Sequence, residues 1–370
     1  MSIRKPYLES VASVVVKLGT QLLFDSQKRL DSGFLADIAQ QVVILRQRGI
    51  QTTIVSSGAI GSGLAELGLA KRPTDLAQLQ AVAAIGQRRL MDAWATAFAP
   101  HGLKVAQILL TREDIDNRTR FLNFRNTINA IHKFGAVPII NENDTVSTDE
   151  IVRISFGDND ILAALVANAL RANLLVLLTV VDGLLDAAGQ PVRLVASIDE
   201  ARKLVRAEKS ALGRGGMDSK LEAAEQVTGA GELMVVADGR TKGVLLKILD
   251  AEDVGTLFIP AARKRSSRSR WIGAARPKGS IVVDAGAALA VGQKNRSLLP
   301  AGITAVEGQF DRGDLVAIKG PGGALIAQGL SNYSWKLIEE IKGKKTAEVR
   351  ALLGDAAYDE VVHRDNLVVE

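Results

Sequence analysis

Hydrophobic and polar positions alternate between two patterns along the first two thirds of the chain, one typical of strands and one typical of helices. Short, nearly continuous apolar runs rich in β-branched residues predict buried strands at 13–19, 51–58, 104–110, 136–141, 174–181 and 232–239. Between them, apolar positions recur at helical spacing, which predicts helices at about 32–48, 76–99, 119–134, 159–171 and 217–229. Apolar strands that alternate with helices are typical of a mostly parallel sheet covered on both faces.

The pattern changes after residue 260. The stretch "AARKRSSRSRW" is polar, basic and short of core residues, so we expect a linker over 261–276. From Pro277 onward, short alternating strands separated by glycines predict a small β-rich domain over 277–370. The predicted fold class is therefore α/β, a mostly parallel sheet sandwiched by helices over 1–260, followed by a small β-rich domain.

Composition agrees with this division and removes several kinds of chemistry. A chain of 370 residues exceeds the size at which single cores stop growing. No apolar run approaches the length of a membrane span and the N-terminus has no convincing signal peptide, so we expect a cytoplasmic protein without membrane contact. The chain has no cysteine and only three scattered histidines, which excludes disulfides, thiolate zinc sites and cysteine nucleophiles and disfavours a Ser/His/Asp triad. The net charge of +5 is a mild excess.

Polar and glycine-rich segments fall where the predicted strands end. They are Lys17 with Gly19 and Thr20, "SSGAIGSG" (56–63), "NENDTVSTDE" (141–150), "GDND" (157–160) and Thr179. Taken singly, each has a structural interpretation: a solvated lysine, a tight turn with Ser57 as N-cap, an acidic loop, or a helix cap. Because ligands of open parallel sheets bind beyond the carboxyl ends of the strands, their joint occurrence predicts a site for polyphosphate and a small polar metabolite.

The segment "GRGGMDSK" (213–220) also opens a predicted helix. It is not a nucleotide P-loop, because Leu221 stands where that motif needs Ser or Thr. By itself it fits an anion site at a helix start or an ordinary loop about equally well. With few histidines and no cysteine, phosphoryl transfer to a carboxylate is favoured, since it needs positioning and charge neutralisation rather than a strong base. Two lysines, oriented by an aspartate, would supply that.

Several motifs together resemble the amino acid kinase family, and in particular its members that phosphorylate glutamate. In chain order they are "VVVKLGT", "IVSSGAI", "RFLNFRNT", "PIINENDTVS", "FGDNDILAALVA", "VDGL" and "GRGGMDSKLEAA", between residue 13 and about 258. The C-terminal stretches "RSLLPAGI", "FDRGDLVAI" and "VVHRDNLV" are similar to a PUA domain. The pair "INENDTVST" and "GDNDILAALVA" is far more specific than any single glycine loop.

This resemblance implies ATP- and Mg²⁺-dependent phosphorylation of the L-glutamate side-chain carboxylate to L-glutamyl 5-phosphate, the first step of proline biosynthesis, with feedback inhibition by proline. It implies catalytic roles for Lys17 and Lys220, with Asp160 orienting both. Glutamate would be bound by Ser57, Asp144 and Asn159. The nucleotide would be contacted by Lys17, Thr179, Val180, Arg214, Gly215, Gly216, Met217, Asp218, Ser219 and Lys220. Direct metal ligands are not identified, and we expect a homo-oligomer, a dimer or a tetramer.

Two positions depart from the family pattern. Val180 stands where an acidic residue usually follows the threonine, and Arg214 stands where a threonine usually precedes "GGM". Both belong to the nucleotide side, so we expect an unchanged reaction with altered nucleotide contacts or affinity.

Three alternatives remain at this point. Other members of the family act on aspartate, acetylglutamate or nucleoside monophosphates, and the "NENDTVST" and "GDND" motifs argue against them. An RNA-binding protein built around the PUA-like unit could use the basic linker, but it would leave the paired lysines and the acidic loop unexplained. A dinucleotide-binding dehydrogenase is weaker still, because the first strand ends in "KLGTQ" without a Gly-x-Gly turn.

Overall fold

A computed structural model describes residues 2–146, 159–186, 188–208, 216–260, 271–273, 275–294, 296–353 and 358–369. The chain divides into two compact units, one formed by residues 1–115 and 119–264 and the other by residues 116–118 and 265–370. None of the described helices is long and apolar enough to cross a membrane.

Eight described strands of the first unit form one sheet in the order β3-β4-β2-β1-β5-β9-β10-β8. Their bounds are β1 (Ser13–Leu18), β2 (Gln51–Ser56), β3 (Val105–Leu110), β4 (Val137–Glu142), β5 (Leu174–Thr179), β8 (Leu194–Val195), β9 (Leu233–Asp238) and β10 (Thr256–Phe258). A separate hairpin pairs β6 (Leu184–Leu185) with β7 (Pro191–Val192). All neighbours in the large sheet are parallel except β9 and β10, which run antiparallel.

Helices surround this sheet. Their bounds are α1 (Lys5–Leu8), α2 (Thr20–Leu23), α3 (Ser32–Gln47), α4 (Ala59–Glu66), α5 (Leu76–Phe98), α6 (Arg112–Asp116), α7 (Arg118–Lys133), α8 (Asp160–Leu170), α9 (Ile198–Glu208), α10 (Gly216–Gly229) and α11 (Val244–Leu249). The central strands β1, β5 and β9 are buried along almost their whole length, which explains why they read as continuous apolar runs. The predicted fold class and the six predicted strands of this unit are confirmed, with ends that shift by at most two residues.

The turn after β2 differs from one interpretation of its sequence. Gly58, with φ of 99°, precedes α4, and no side chain caps this helix, so Ser57 is not its N-cap. Helices α4 and α5 then pack at backbone contact. A Cβ on Gly63 would lie 1.9 Å from the carbonyl oxygen of Val82, and one on Gly86 would lie 1.8 Å from that of Ala59. The glycines of "SSGAIGSG" therefore serve helix packing as well as the turn.

The second unit is built on a five-stranded sheet of described residues in the order β12-β11-β13-β14-β15. Its elements are β11 (Gly279–Val283), α12 (Ala285–Gly292), β12 (Ile303–Gly308), β13 (Leu315–Lys319), β14 (Leu325–Leu330), α13 (Trp335–Ile341), α14 (Thr346–Leu353) and β15 (Leu367–Val369). Ile281, Ile318 and Ile338 lie in its own hydrophobic core. The short strands predicted from Pro277 onward are confirmed. Most of the predicted linker lies outside the described residues, and Trp271 is buried.

Candidate active site

Four parallel strands bring their carboxyl ends to one edge of the large sheet. Strand β1 lies between β2 and β5, with Leu18 paired to Ser56 on one side and to Leu178 on the other. Strand β4 lies on the far side of β2. The chain passes from β1 to β2 on one side and later returns from β4 to β5 on the other side of β1, which is the arrangement that opens a crevice at the strand ends.

The Asp160 carboxylate holds two lysines at this edge. Its Oδ1 lies 2.8 Å from Lys17 Nζ, and its Oδ2 lies 3.1 Å from Lys220 Nζ. The Ser219 hydroxyl donates to Oδ2 at 3.0 Å. Relative exposures are 1% for Lys17, 2% for Asp160 and 4% for Lys220. Two buried ammonium groups that share one carboxylate leave an excess positive charge, which an anionic ligand would neutralise.

Each member of this cluster is placed by a different element. Lys17 is the fifth residue of β1 and is held between two neighbouring strands. Asp160 is the first residue of α8, and Lys220 lies in α10 with its Nζ also donating to the Gly216 carbonyl at 2.9 Å. Helices α8 and α10 therefore both direct their N-terminal ends, which carry positive partial charge, toward this cluster.

A neutral group of amides lies beside the charged cluster. Asn159 precedes α8 in a left-handed conformation, with φ of 47°, which asparagine tolerates better than most residues. Its Nδ2 donates to the Ser56 carbonyl at 3.1 Å and to Asn141 Oδ1 at 2.7 Å. Asn141 Nδ2 in turn donates to Gln87 Oε1 at 2.8 Å. These three amide side chains are all buried.

Three buried polar atoms, one on Ser57 and two on these amides, have no hydrogen-bond partner among the described residues. They are Ser57 Oγ, Gln87 Nε2 and Asn159 Oδ1. Buried polar atoms are normally paired, so an atom of this kind in a native fold points to a ligand or a bound water. Asp144, which follows β4, is buried as well. The neutral group thus offers hydrogen bonds to a small polar molecule next to two cations.

On the other side of Lys220 lies a cavity of about 270 Å³. Its walls are Gly19, Thr20, Gln21, Leu22, Thr179, Val180, Val181, Gly216, Met217 and Lys220. A Cβ on Gly19 would lie 3.3 Å from the Leu178 carbonyl oxygen and 3.9 Å from Lys17 Nζ, so the bare backbone leaves room beside that lysine. Val180 gives this wall an apolar side chain where the family pattern has a carboxylate.

The structure brings most of the predicted site residues together. Lys17, Asp160, Lys220 and Ser219 are in direct contact, and Thr179, Val180, Gly216 and Met217 line the cavity. Asp218 lies in the first turn of α10, is exposed and does not line the cavity. Arg214 and Gly215 lie outside the described residues, as do positions 147–158 of the two acidic motifs.

Two residues of the neutral group were not assigned a role from the sequence. Asn141 stands inside the "NENDTVST" motif, and Gln87 lies on the buried face of α5 between Ala83 and Leu90. A single polar residue within an apolar helical stripe was the signal for Gln87, although such a residue is more often only a satisfied core amide.

No group of three or more histidine, cysteine, aspartate or glutamate side chains with the spacing of a metal site exists in the described parts of the chain. Asp160 is already engaged by two lysines. The described residues therefore form no dedicated cage of carboxylate or imidazole ligands for a metal ion.

Comparison with known proteins gives consistent matches over both units. Residues 12–238 match the profile of the amino acid kinase family, and residues 279–353 match that of the PUA domain. A protein of Geobacter sulfurreducens named glutamate 5-kinase is 45% identical, with 99% of this chain and 100% of the relative covered. Proteins of the same name from Syntrophotalea carbinolica and Pseudomonas putida are 42% and 44% identical, with 99% and 96% of this chain and 100% and 97% of the relatives covered. The solved structure of a Giardia lamblia carbamate kinase bound to AMP-PNP covers 68% of this chain and 99% of its own, with 17% identity and a TM-score of 0.47.

Proposed function

Because the chain belongs to the amino acid kinase family and is a kinase with a C-terminal PUA domain, we propose that it phosphorylates the side-chain carboxylate of L-glutamate with ATP. The product is L-glutamyl 5-phosphate, and the reaction is the first step of proline biosynthesis. The observation that carries this proposal is the buried pair of lysines on the two oxygens of Asp160, next to a group of amides with unpaired polar atoms. Full-length similarity to proteins named glutamate 5-kinase supports the choice of substrate.

The chemistry needs charge neutralisation more than proton transfer. A carboxylate oxygen of the acceptor forms a bond to the γ-phosphorus while the bond to the β-phosphate oxygen breaks, so the acceptor carboxylate needs no base. Lys17 and Lys220 offset the negative charge on the transferring group. Asp160 fixes both ammonium groups through its two oxygens, and Ser219 fixes Asp160 by donating to Oδ2. Since the cluster is buried, these charges act in a medium that screens them weakly.

Glutamate is held on the neutral side of the cluster in this proposal. Ser57 and Asn159 offer the unpaired Oγ and Oδ1 atoms, and Asp144 lies nearby in the chain segment after β4. Feedback inhibition by proline would use an overlapping site, so proline should compete with glutamate and not with ATP. Homo-oligomerisation and the domain bounds 1–260, 261–276 and 277–370 are further parts of this proposal.

The nucleotide lies on the other side, at the cavity bounded by Gly19, Thr179, Gly216 and Lys220. A lysine and bare glycine backbone fit the chemistry of phosphate groups. When bound, ATP supplies the phosphoryl group, and Mg²⁺ would be held largely by phosphate oxygens and water. Met217 lines this cavity, and contacts of Arg214, Gly215 and Asp218 with the nucleotide remain part of the proposal, although Asp218 does not line the cavity itself.

Val180 gives a finer prediction for the nucleotide side. An apolar side chain cannot accept a hydrogen bond from a ribose hydroxyl or a base amine, as a carboxylate can. Val180→Asp should therefore change the ratio of activity with ATP to activity with GTP, with glutamate still the acceptor. Equal ATP and GTP use by wild type and variant would count against this assignment.

The proposed reaction is tested by trapping the acyl phosphate. Protein is incubated with ATP, Mg²⁺ and hydroxylamine, with L-glutamate, L-aspartate or N-acetyl-L-glutamate as acceptor. Hydroxamate is expected with L-glutamate, in step with ADP release. Hydroxamate from another acceptor in place of L-glutamate would show that the protein acts on a different substrate. No hydroxamate with any of the three acceptors would overturn the proposed activity.

A further inference from the structure

Helix α5 reaches the back of the proposed glutamate site with one buried amide. Gln87 is 6% exposed and accepts a hydrogen bond from Asn141. It directly follows Gly86, whose missing side chain lets α5 approach α4 to backbone contact. The close crossing of two helices therefore determines how far the Gln87 side chain extends toward the strand ends.

The hydrogen bonds fix the direction of every amide in this chain of contacts. Asn159 Nδ2 donates to the Ser56 carbonyl, which can only accept, so the Asn159 amide cannot be reversed. Asn141 Oδ1 accepts from Asn159 and from the Glu142 backbone N–H at 2.9 Å, so the Asn141 amide cannot be reversed either. Asn141 Nδ2 is then a buried donor, and Gln87 Oε1 is the acceptor that pairs it.

We infer that Gln87 is a positioning residue, which holds Asn141 and through it presents Asn159 Oδ1 as an acceptor to the α-ammonium group of the amino acid. The inference rests on the proposed function. Asn159 Oδ1 is buried and has no partner in the described part of the chain, so it needs a hydrogen-bond donor. At neutral pH the α-ammonium group is the only donor on L-glutamate. The α-ammonium group therefore donates to an acceptor whose orientation is fixed by Gln87, two side chains away.

The loss of Gln87 has a defined consequence. Without its Oε1, Asn141 Nδ2 becomes an unpaired buried donor, and such groups are costly enough that the side chain shifts toward another acceptor. A shift of Asn141 removes one of the two acceptors that hold Asn159. The effect should reach the amino acid and not the nucleotide, because Lys17, Asp160 and Lys220 make no hydrogen bond to this chain of amides among the described residues.

Gln87→Met tests the inference, since methionine has similar length and no strong acceptor. We expect KM for L-glutamate to rise about tenfold, the value for loss of roughly one hydrogen bond to a charged group, while kcat and KM for ATP stay within about twofold. Gln87→Glu keeps an acceptor for Asn141 and should restore most of the affinity. Glutarate, which lacks the ammonium group, should inhibit wild type and Gln87→Met with the same Ki.

The matched control is Gln41→Met. Gln41 is another buried helical glutamine, whose Oε1 accepts from the Leu245 backbone N–H at 2.8 Å. Its Nε2 donates to Asp37, so neither end of this amide is bonded to a proposed site residue. The Gln41→Met substitution should lower thermal stability and leave the KM values for L-glutamate and ATP unchanged. If Gln87→Met keeps the wild-type KM for L-glutamate, or raises the glutarate Ki and both KM values together, the positioning role is wrong while the proposed reaction stands. If wild type neither binds nor phosphorylates L-glutamate, both the positioning role and the proposed reaction are wrong.

Discussion

Arg4 and the pair formed by Lys17 and Lys220 are buried cations of the first unit, and the protein balances their charges in different ways. Arg4 is fully buried, and its guanidinium donates to the backbone carbonyls of Glu252, Val254, Arg193 and Gly255 at 2.5–3.1 Å. The Asp253 carboxylate lies 3.5 Å from its Nε. Lys17 and Lys220, by contrast, divide one carboxylate between them.

The guanidinium of Arg4 has hydrogen bonds for both terminal nitrogens and lacks one only at Nε among the described residues, whereas the two lysines share a single carboxylate. Burial lowers the pKa of Arg4, and Asp253 opposes that shift, but an arginine remains charged and all its contacts lie within the protein. Arg4 joins the N-terminal segment to residues 189 to 251 positions away, so it serves stability. The lysines leave an excess of positive charge, and in the proposed function an anionic ligand neutralises it, at some expense of stability without the ligand.

Removing the charge of one lysine of the pair should have the largest effect on kcat. Lys220→Met keeps the length of the side chain and removes its charge, so kcat should fall about 10²- to 10³-fold, as when one donor to developing charge is lost. Stability should not fall, because a cation leaves a site where two compete for one carboxylate. Steady-state kinetics and urea unfolding give the two values. A variant that is strongly destabilised but keeps its kcat would show that Lys220 contributes to stability and not to the reaction.

Removing Arg4 should have the opposite profile. Arg4→Met leaves four backbone carbonyls without their donor, and we expect the free energy of unfolding to fall by about 3 to 5 kcal/mol. The folded fraction should keep the wild-type kcat. Arg48→Met is the matched control, because the Arg48–Asp250 pair is solvent-exposed and should contribute less than about 1 kcal/mol. Similar losses in the two variants would show that Arg4 is no more important than a surface arginine.

Removing the shared carboxylate should sharpen the contrast. Asp160→Asn leaves Lys17 and Lys220 to repel each other without a counter-charge, so both kcat and stability should fall, the latter by roughly 2 kcal/mol. Inorganic pyrophosphate should stabilise this variant more than it stabilises wild type, because an added anion replaces the lost charge. Equal stabilisation of both proteins in thermal melts would contradict an open cationic site.

The smallest expected effect concerns His132, a half-buried side chain with a lowered pKa. His132 lies with Nε2 2.9 Å from Thr53 Oγ1, and burial, with Arg46 second, lowers its pKa from the ordinary 6.5. The unfolded state therefore binds the proton more readily, so His132 contributes stability above pH 6.5 that is lost as the pH falls toward the lowered folded-state pKa. His132→Gln should flatten the pH dependence of unfolding below 6.5, and an unchanged slope would remove His132 as its source.

Local sequence pattern predicted the sheet, its helices and most of the charged cluster. Lys17 and Thr179 end apolar runs, and Asp160 and Lys220 open helices, so strand and helix ends already marked them. Arg4 and Gln87 could not be found this way, because their partners lie far along the chain and depend on how helices and loops pack. The antiparallel direction of β10 is likewise decided by packing rather than by its three residues.

The most direct test of the central claim is glutamyl hydroxamate formation by wild type and by Lys17→Met, measured together with thermal unfolding of both. We expect hydroxamate from wild type in step with ADP, a rate at least about a hundredfold lower in the variant, and an unfolding temperature that does not fall. Equal rates of hydroxamate formation in the two folded proteins would contradict it, because the buried lysine pair would then have no part in the transfer.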